Sequence, residues 1–162
     1  MSLRVLRPVR RRPDRKERSD QRMSQADRPP FEVLEHTADI GLRAYGETVE
    51  KLFENACRGT LEILDAASEG GHDQEEVVVE AADREALLVS LLDELIYLVD
   101  RYQSCVSDIK IQFERETFLV ATITWTPAPC DREGTELKAT TYHQLSVHEG
   151  TDGWEATVYF DV

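Results

Sequence analysis

No run of apolar residues in this chain approaches the roughly 20 needed to span a bilayer as a helix. No short apolar segment near the N-terminus offers a signal peptide either. Cysteine is scarce: Cys57, Cys105 and Cys130 are odd in number and far apart. That spacing excludes a CxxC metal site and reads as free thiols in a reducing cytosol. Beyond residue 30 basic residues are also short, nine against 28 acidic ones. A body with that imbalance does not hold nucleic acid by neutralising phosphates, which takes clustered lysine and arginine. It suits solubility, cation binding or docking on a basic partner. The expectation is a soluble, cytoplasmic domain.

The first 30 residues are the reverse. They carry ten basic and four acidic residues, and four of the six prolines in the chain. With so few apolar side chains they cannot offset the entropy of folding, so residues 1–30 read as a disordered basic tail. Three accounts compete. The tail is a basic arm for nucleic acid or a partner; or a transit peptide, against which Asp14, Glu17 and Asp20 speak; or translation starts at Met23 and the rest is a mis-assigned or dispensable extension. The third is favoured, because nothing in the tail resembles a packing element.

Residues 31–162 are long enough for one domain with a sizeable core, and their patterning is α+β. Phe31 to Leu34 and Ile40 to Ala44 are strand-like. Thr48 is a plausible N-cap, and Val49, Leu52, Phe53, Ala56, Thr60 and Leu64 recur at helical steps to about Asp65. Ser68 to Gln74 is a loop and Val77 to Glu80 a short strand. Asp83 caps a second helix whose apolar set, from Leu87 to Val99, covers more than half its circumference. Such a helix must be largely buried, leaving Asp93, Glu94 and Asp100 on an exposed face. Ile109 to Phe113, Phe118 to Trp125, Leu137 to Thr141, Leu145 to Val147 and Trp154 to Phe160 read as strands, with a hairpin at Gly150 to Gly153. The predicted architecture is a mostly antiparallel sheet with two amphipathic helices packed on one face.

Chemistry-bearing residues concentrate at Glu35–His36–Thr37–Ala38–Asp39–Ile40–Gly41, where two strand-like runs meet. Asp39 and Thr37 can also serve merely to satisfy backbone N–H groups in a turn. No Ser-His-Asp order, P-loop, dinucleotide glycine pattern or HExxH is present. His72 and His148 read as exposed, while His36 and His143 flank polar strand ends. The end of the sequence is unusual, for Asp161 and the α-carboxylate of Val162 are adjacent anions. Close carboxylates repel unless a cation or proton intervenes. If Asp39 lies near them, three carboxylates form an oxygen-rich site for Ca²⁺, Mg²⁺ or Mn²⁺.

Glu35 to Gly41, the run Gly-Thr-Glu-Leu-Lys-Ala-Thr-Thr-Tyr-His at 134–143, the Leu91-Leu92-Asp93-Glu94-Leu95 helix and the ending Trp-Glu-Ala-Thr-Val-Tyr-Phe-Asp-Val resemble archease. The resemblance covers residues 31–162 and departs in small ways, such as Thr140 at a position expected to be apolar. It implies a compact fold with a strand-helix-strand-strand core. It also implies a non-catalytic role as partner of the GTP-dependent RNA ligase of tRNA splicing and RNA repair. That ligase joins cyclic-phosphate or 3′-phosphate ends to 5′-hydroxyl ends through a nucleotidylated histidine. Archease stimulates its guanylylation and its multiple turnover. The family's metal site, seen with calcium, falls on Asp39, Asp161 and Val162, with His36 and Lys138 as candidates behind the ligands or facing the partner. Contact with RNA is then indirect, through the ligase, and no membrane is involved. A general chaperone or assembly module is the alternative. A stand-alone metal-dependent hydrolase is disfavoured, since no nucleophile-plus-base pair accompanies the carboxylates.

Overall fold

Nine side chains of one helix, Leu87 to Val99, are buried, and both sheets of the molecule are arranged around it and its shorter companion. The computed structural model describes residues 28–35 and 38–162. The elements in chain order are β1 (Phe31–Glu35), β2 (Ile40–Gly46), α1 (Val49–Leu64), β3 (Asp73–Glu80), α2 (Arg84–Tyr102), β4 (Val106–Arg115), β5 (Phe118–Trp125), β6 (Ala139–Gly150) and β7 (Gly153–Asp161). The expectations for residues 1–27, and for His36 and Thr37, lie outside the described residues.

Both helices start where the capping residues place them. Thr48 Oγ1 accepts from the Lys51 N–H at 3.1 Å, and an Asp83 carboxylate oxygen accepts from the Ala86 N–H at 2.8 Å. Both end on a residue in the left-handed region, Asp65 (φ 53°) and Gln103 (φ 51°). Burying each leucine of α2 contributes about 2 kcal/mol relative to exposure, so this helix anchors the core. Gly59, in the middle of α1, faces β2. A Cβ there would lie 2.5 Å from Leu42 Cδ1, so the glycine sets how closely helix and strand approach.

The class is α+β, as the patterning predicts, and every strand pairing is antiparallel. The strands divide between two sheets, one ordered β1-β2-β7-β6 and the other β3-β5-β4. α1 packs on β2 and β4 and α2 on β6 and β3, so each helix touches both sheets. Leu42, Ala44, Ala156, Val158 and Phe160 make the buried face of the four-stranded sheet. Ile109, Ile111, Leu119, Ala121 and Ile123 make that of the three-stranded one.

Four local expectations need correction. Leu137 lies before β6, and the two short strands expected after it are one strand, Ala139–Gly150. It is interrupted by a register shift between Thr141 and Ser146 where Gln144 takes φ 51°. Cys105 and Cys130 are not free thiols but are joined in a disulfide, their Cα atoms 5.3 Å apart. Only Cys57 is free, and it is buried. Asp93 does not stand on an exposed face: it is half-buried, and its Oδ1 accepts the Thr140 N–H at 2.7 Å. Tyr159, which strand alternation puts on the face of β7 opposite Ala156, Val158 and Phe160, is nonetheless buried.

Candidate metal centre

Antiparallel pairing brings the two ends of the domain together. β2 meets β7 with Ile40 opposite Phe160 and Gly41 opposite Tyr159. Continued by one residue, this register sets Asp39 against Asp161. Opposed residues of an antiparallel pair project from the same face. On the other side of β7, Ala139 pairs with Asp161, and the Lys138 N–H donates to the Asp161 carbonyl at 2.9 Å. Asp39, Lys138, Asp161 and Val162 therefore converge at one end of the four-stranded sheet. Asp39 is half-buried; Lys138, Asp161 and Val162 are exposed.

Tyr159 forms the floor beside them. A Cβ on Gly41 would come within 2.7 Å of Tyr159 Cε1, so the glycine lets the ring lie across β2. The His143 ring stands at 66° to it, centroids 5.9 Å apart. Sequence periodicity missed both residues as parts of this end of the sheet. The signal was Gly41, whose missing side chain faces the position filled by the tyrosine.

The donor set fits a hard divalent cation. Two side-chain carboxylates and one α-carboxylate are the oxygen ligands that Ca²⁺ or Mg²⁺ favours. Among the described residues, no ion pair engages Asp39 or Asp161. Nor, among those residues, do three His, Cys, Asp or Glu side chains gather closely enough to hold a metal. The third carboxylate would come from the main chain of Val162.

Elsewhere on the same outer face Arg43 Nε lies 3.6 Å from Glu155, and Tyr45 donates its hydroxyl to Glu32 at 3.0 Å. Partial burial, then the Glu32 carboxylate, hold the Tyr45 phenol above its ordinary pKa. Two clefts, of about 490 and 350 Å³, lie beside Cys130–Glu136 and between the end of α1 and β4. Neither of these two clefts is lined by Asp39, Lys138, Asp161 or Val162.

The molecule is thus an acidic α+β domain of two antiparallel sheets on a helix pair, with carboxylates collected at one strand end. Its residues 31–162 match the archease protein family, and the chain belongs to that family. It is 37% identical over 140 residues to a protein archease of Methanosarcina mazei, covering 82% of this chain and 95% of that one. It is 35% identical over 133 residues to a protein archease of Thermococcus gammatolerans, covering 78% and 94%. Its fold is similar to the solution structure of Methanobacterium thermoautotrophicum protein 1598 (TM-score 0.62, 26% identity, 82% and 99% covered). It is also similar to the crystal structure of "an archease, possible chaperone" from Thermotoga maritima (TM-score 0.59, 26% identity, 80% and 94% covered).

Proposed function

We propose that this protein is a non-catalytic, cytoplasmic activator of a GTP-dependent RNA ligase in tRNA splicing and RNA repair. It speeds the guanylylation of the ligase histidine and lets the ligase turn over repeatedly. The observation that supports the reading is the β2–β7 register, which ends with Ile40 opposite Phe160, so that the next residues, Asp39 and Asp161, fall at the same end of the sheet as Lys138. Asp39, Asp161 and the Val162 carboxylate would hold a divalent cation, calcium by family resemblance and magnesium or manganese by donor chemistry. When bound, such an ion neutralises phosphate charge during nucleotidyl transfer. The protein's own groups supply the rest. The carboxylates present negative charge to a basic partner, and the Lys138 N–H holds the end of β7 through the Asp161 carbonyl. His36 is a further candidate toward the partner, by motif alone.

The deciding assay supplies radiolabelled GTP to the cognate ligase with sub-stoichiometric amounts of this protein. Faster labelling of the ligase, with neither ligation nor GTP hydrolysis by this protein alone, is the expected result. Labelling that is unchanged would sink the activator reading. The second reading, a chaperone or assembly module, is favoured by the description of the Thermotoga relative as a possible chaperone. It predicts a higher yield of soluble ligase with no change in guanylylation per folded molecule.

A further inference from the structure

The Cys105–Cys130 disulfide stands on the wall of a cleft, and its two sulfurs are not equally sheltered. Cys105, between α2 and β4, is 8% exposed. Cys130 is half-buried and lines the cleft of about 490 Å³ together with Asp100, Gln103, Arg132 and Glu136. That volume falls within the range of about 300–1,000 Å³ usual for small-molecule sites. Charges of both signs line it, with Arg132 Nη2 3.7 Å from Asp100 Oδ1. The bridge is also one fastening among several. Beside it the Cys130 N–H donates to the Gln103 carbonyl at 2.8 Å and the Thr126 N–H to the Cys105 carbonyl at 2.9 Å. Farther along the same loop, the Glu133 N–H donates to an Asp65 carboxylate oxygen at 3.1 Å and the Thr135 N–H to the Ile63 carbonyl at 2.9 Å.

We propose that this disulfide is a reversible thiol-exchange site. Cys130 is the sulfur attacked, and the cleft seats an amino-acid-like, low-molecular-weight thiol. Arg132 receives the carboxylate of such a thiol, while Asp100 and Glu136 receive its ammonium group. The incoming thiolate attacks Cys130 Sγ and forms a new sulfur–sulfur bond there. The bond to Cys105 breaks, its electron pair stays on Cys105 Sγ, and that sulfur takes up a proton. A second thiolate then attacks the small thiol's sulfur, releasing Cys130 as a thiol and the two small thiols as their own disulfide. Two thiols are oxidised and one bridge is reduced. Because the backbone bonds on either side of the bridge remain, opening it loosens the loop from Asp131 to Glu136 without unfolding the domain. The setting is the cytoplasm proposed above, where bridges are usually transient, catalytic or redox-sensing. Nothing in the proposal depends on the ligase or metal readings, and its test uses neither.

The probe is glutathione, added to the folded full-length chain as mixtures of its reduced and oxidised forms. Free thiols are then blocked by alkylation, and the protein and its peptides are weighed by mass spectrometry. The expected product carries one glutathione per chain, on Cys130, with the circular dichroism of the untreated protein. On complete reduction the Glu133 and Thr135 amides should lose protection from hydrogen exchange, while Leu91 and Leu95 keep theirs. Arg132→Ala should lower the yield of the glutathione adduct but not that of the adduct with uncharged 2-mercaptoethanol. A bridge that opens only as the protein unfolds is a structural staple, and that result overturns the proposal. So does an adduct found on Cys105, or a loop whose protection is the same with the bridge open and closed. Equal effects of Arg132→Ala on the two thiols, no effect included, would overturn the seat in the cleft.

Discussion

The Asp93 carboxylate in the middle of α2 accepts the backbone N–H of Thr140 at 2.7 Å, fastening the main core helix to the second residue of β6. Thr140 follows Lys138 by two residues, so the same bond holds the strand that borders the acidic end. Removing the acceptor leaves a part-buried N–H unpaired, at about 1–3 kcal/mol. Asp93→Ala should therefore lower the unfolding free energy measured in urea by that amount, and Asp93→Asn, which keeps an acceptor oxygen, by less than half of it. Equal losses for the two would mean that the carboxylate acts through its charge.

Gly59 sets two effects against each other. Alanine is favoured over glycine in a helix by up to about 1 kcal/mol, but its Cβ would sit 2.5 Å from Leu42 Cδ1 and 3.1 Å from Phe31 Cδ2. Overpacking of a buried contact costs about 1–3 kcal/mol, so the clash outweighs the propensity. Thermal unfolding of Gly59→Ala should show a lower midpoint; a rise would show that β2 moves away without cost.

The acidic end makes a binding prediction. Asp39→Ala, Asp161→Ala and a C-terminal tag that converts the Val162 carboxylate to an amide should each weaken Ca²⁺ binding roughly tenfold or more, because affinity follows the number of charged ligands. All three should unfold close to wild type, since Asp161 and Val162 are exposed and Asp39 is only half-buried. Asp100→Ala is the control. Its side chain is 81% exposed and faces Arg132 on another part of the surface, so its titration should match wild type. Calorimetry on the four proteins checks the set, and unaltered binding in the tagged protein would remove Val162 from the site.

Thiol chemistry gives the fourth test. Burial raises the Cys57 pKa, keeping the thiol protonated and unreactive at neutral pH. A chromogenic thiol reagent should find no reactive thiol in the native protein, one after unfolding, and three after unfolding with reductant. Replacing both Cys105 and Cys130 by serine should cost about 2–4 kcal/mol, the usual range for a bridge closing a loop of this size. Three reactive thiols without reductant would contradict the disulfide.

Periodicity made the helices and most strands legible, because Leu87 to Val99 and Ile109 to Phe113 repeat with the spacing of their elements. The partition into two sheets was not legible. Alternation shows which face of a strand is buried but not which strand lies beside it. Residues 139–150 read as two strands because the register shift before Ser146 breaks the alternation. Asp93 looked like a surface carboxylate because its partner is a backbone amide 47 residues away. At the acidic end, Asp39 and Asp161 stood out by charge and motif, while Tyr159 and His143 became visible only once Gly41 was seen to accommodate the ring.

The position of β7 has a kinetic consequence. It is synthesised after the other six described strands, yet it lies between β2 and β6. Phe160 pairs with Ile40, a separation of 160 − 40 = 120 residues. Until β7 leaves the ribosome, β2 and β6 share no neighbour, and the apolar faces of both are without the strand that joins them. Closing so long a loop makes folding slow relative to a helical protein of equal length. Between the completion of β5 and that of β7, the helix pair and the three-stranded sheet are therefore the elements available to keep the leucines of α2 from water.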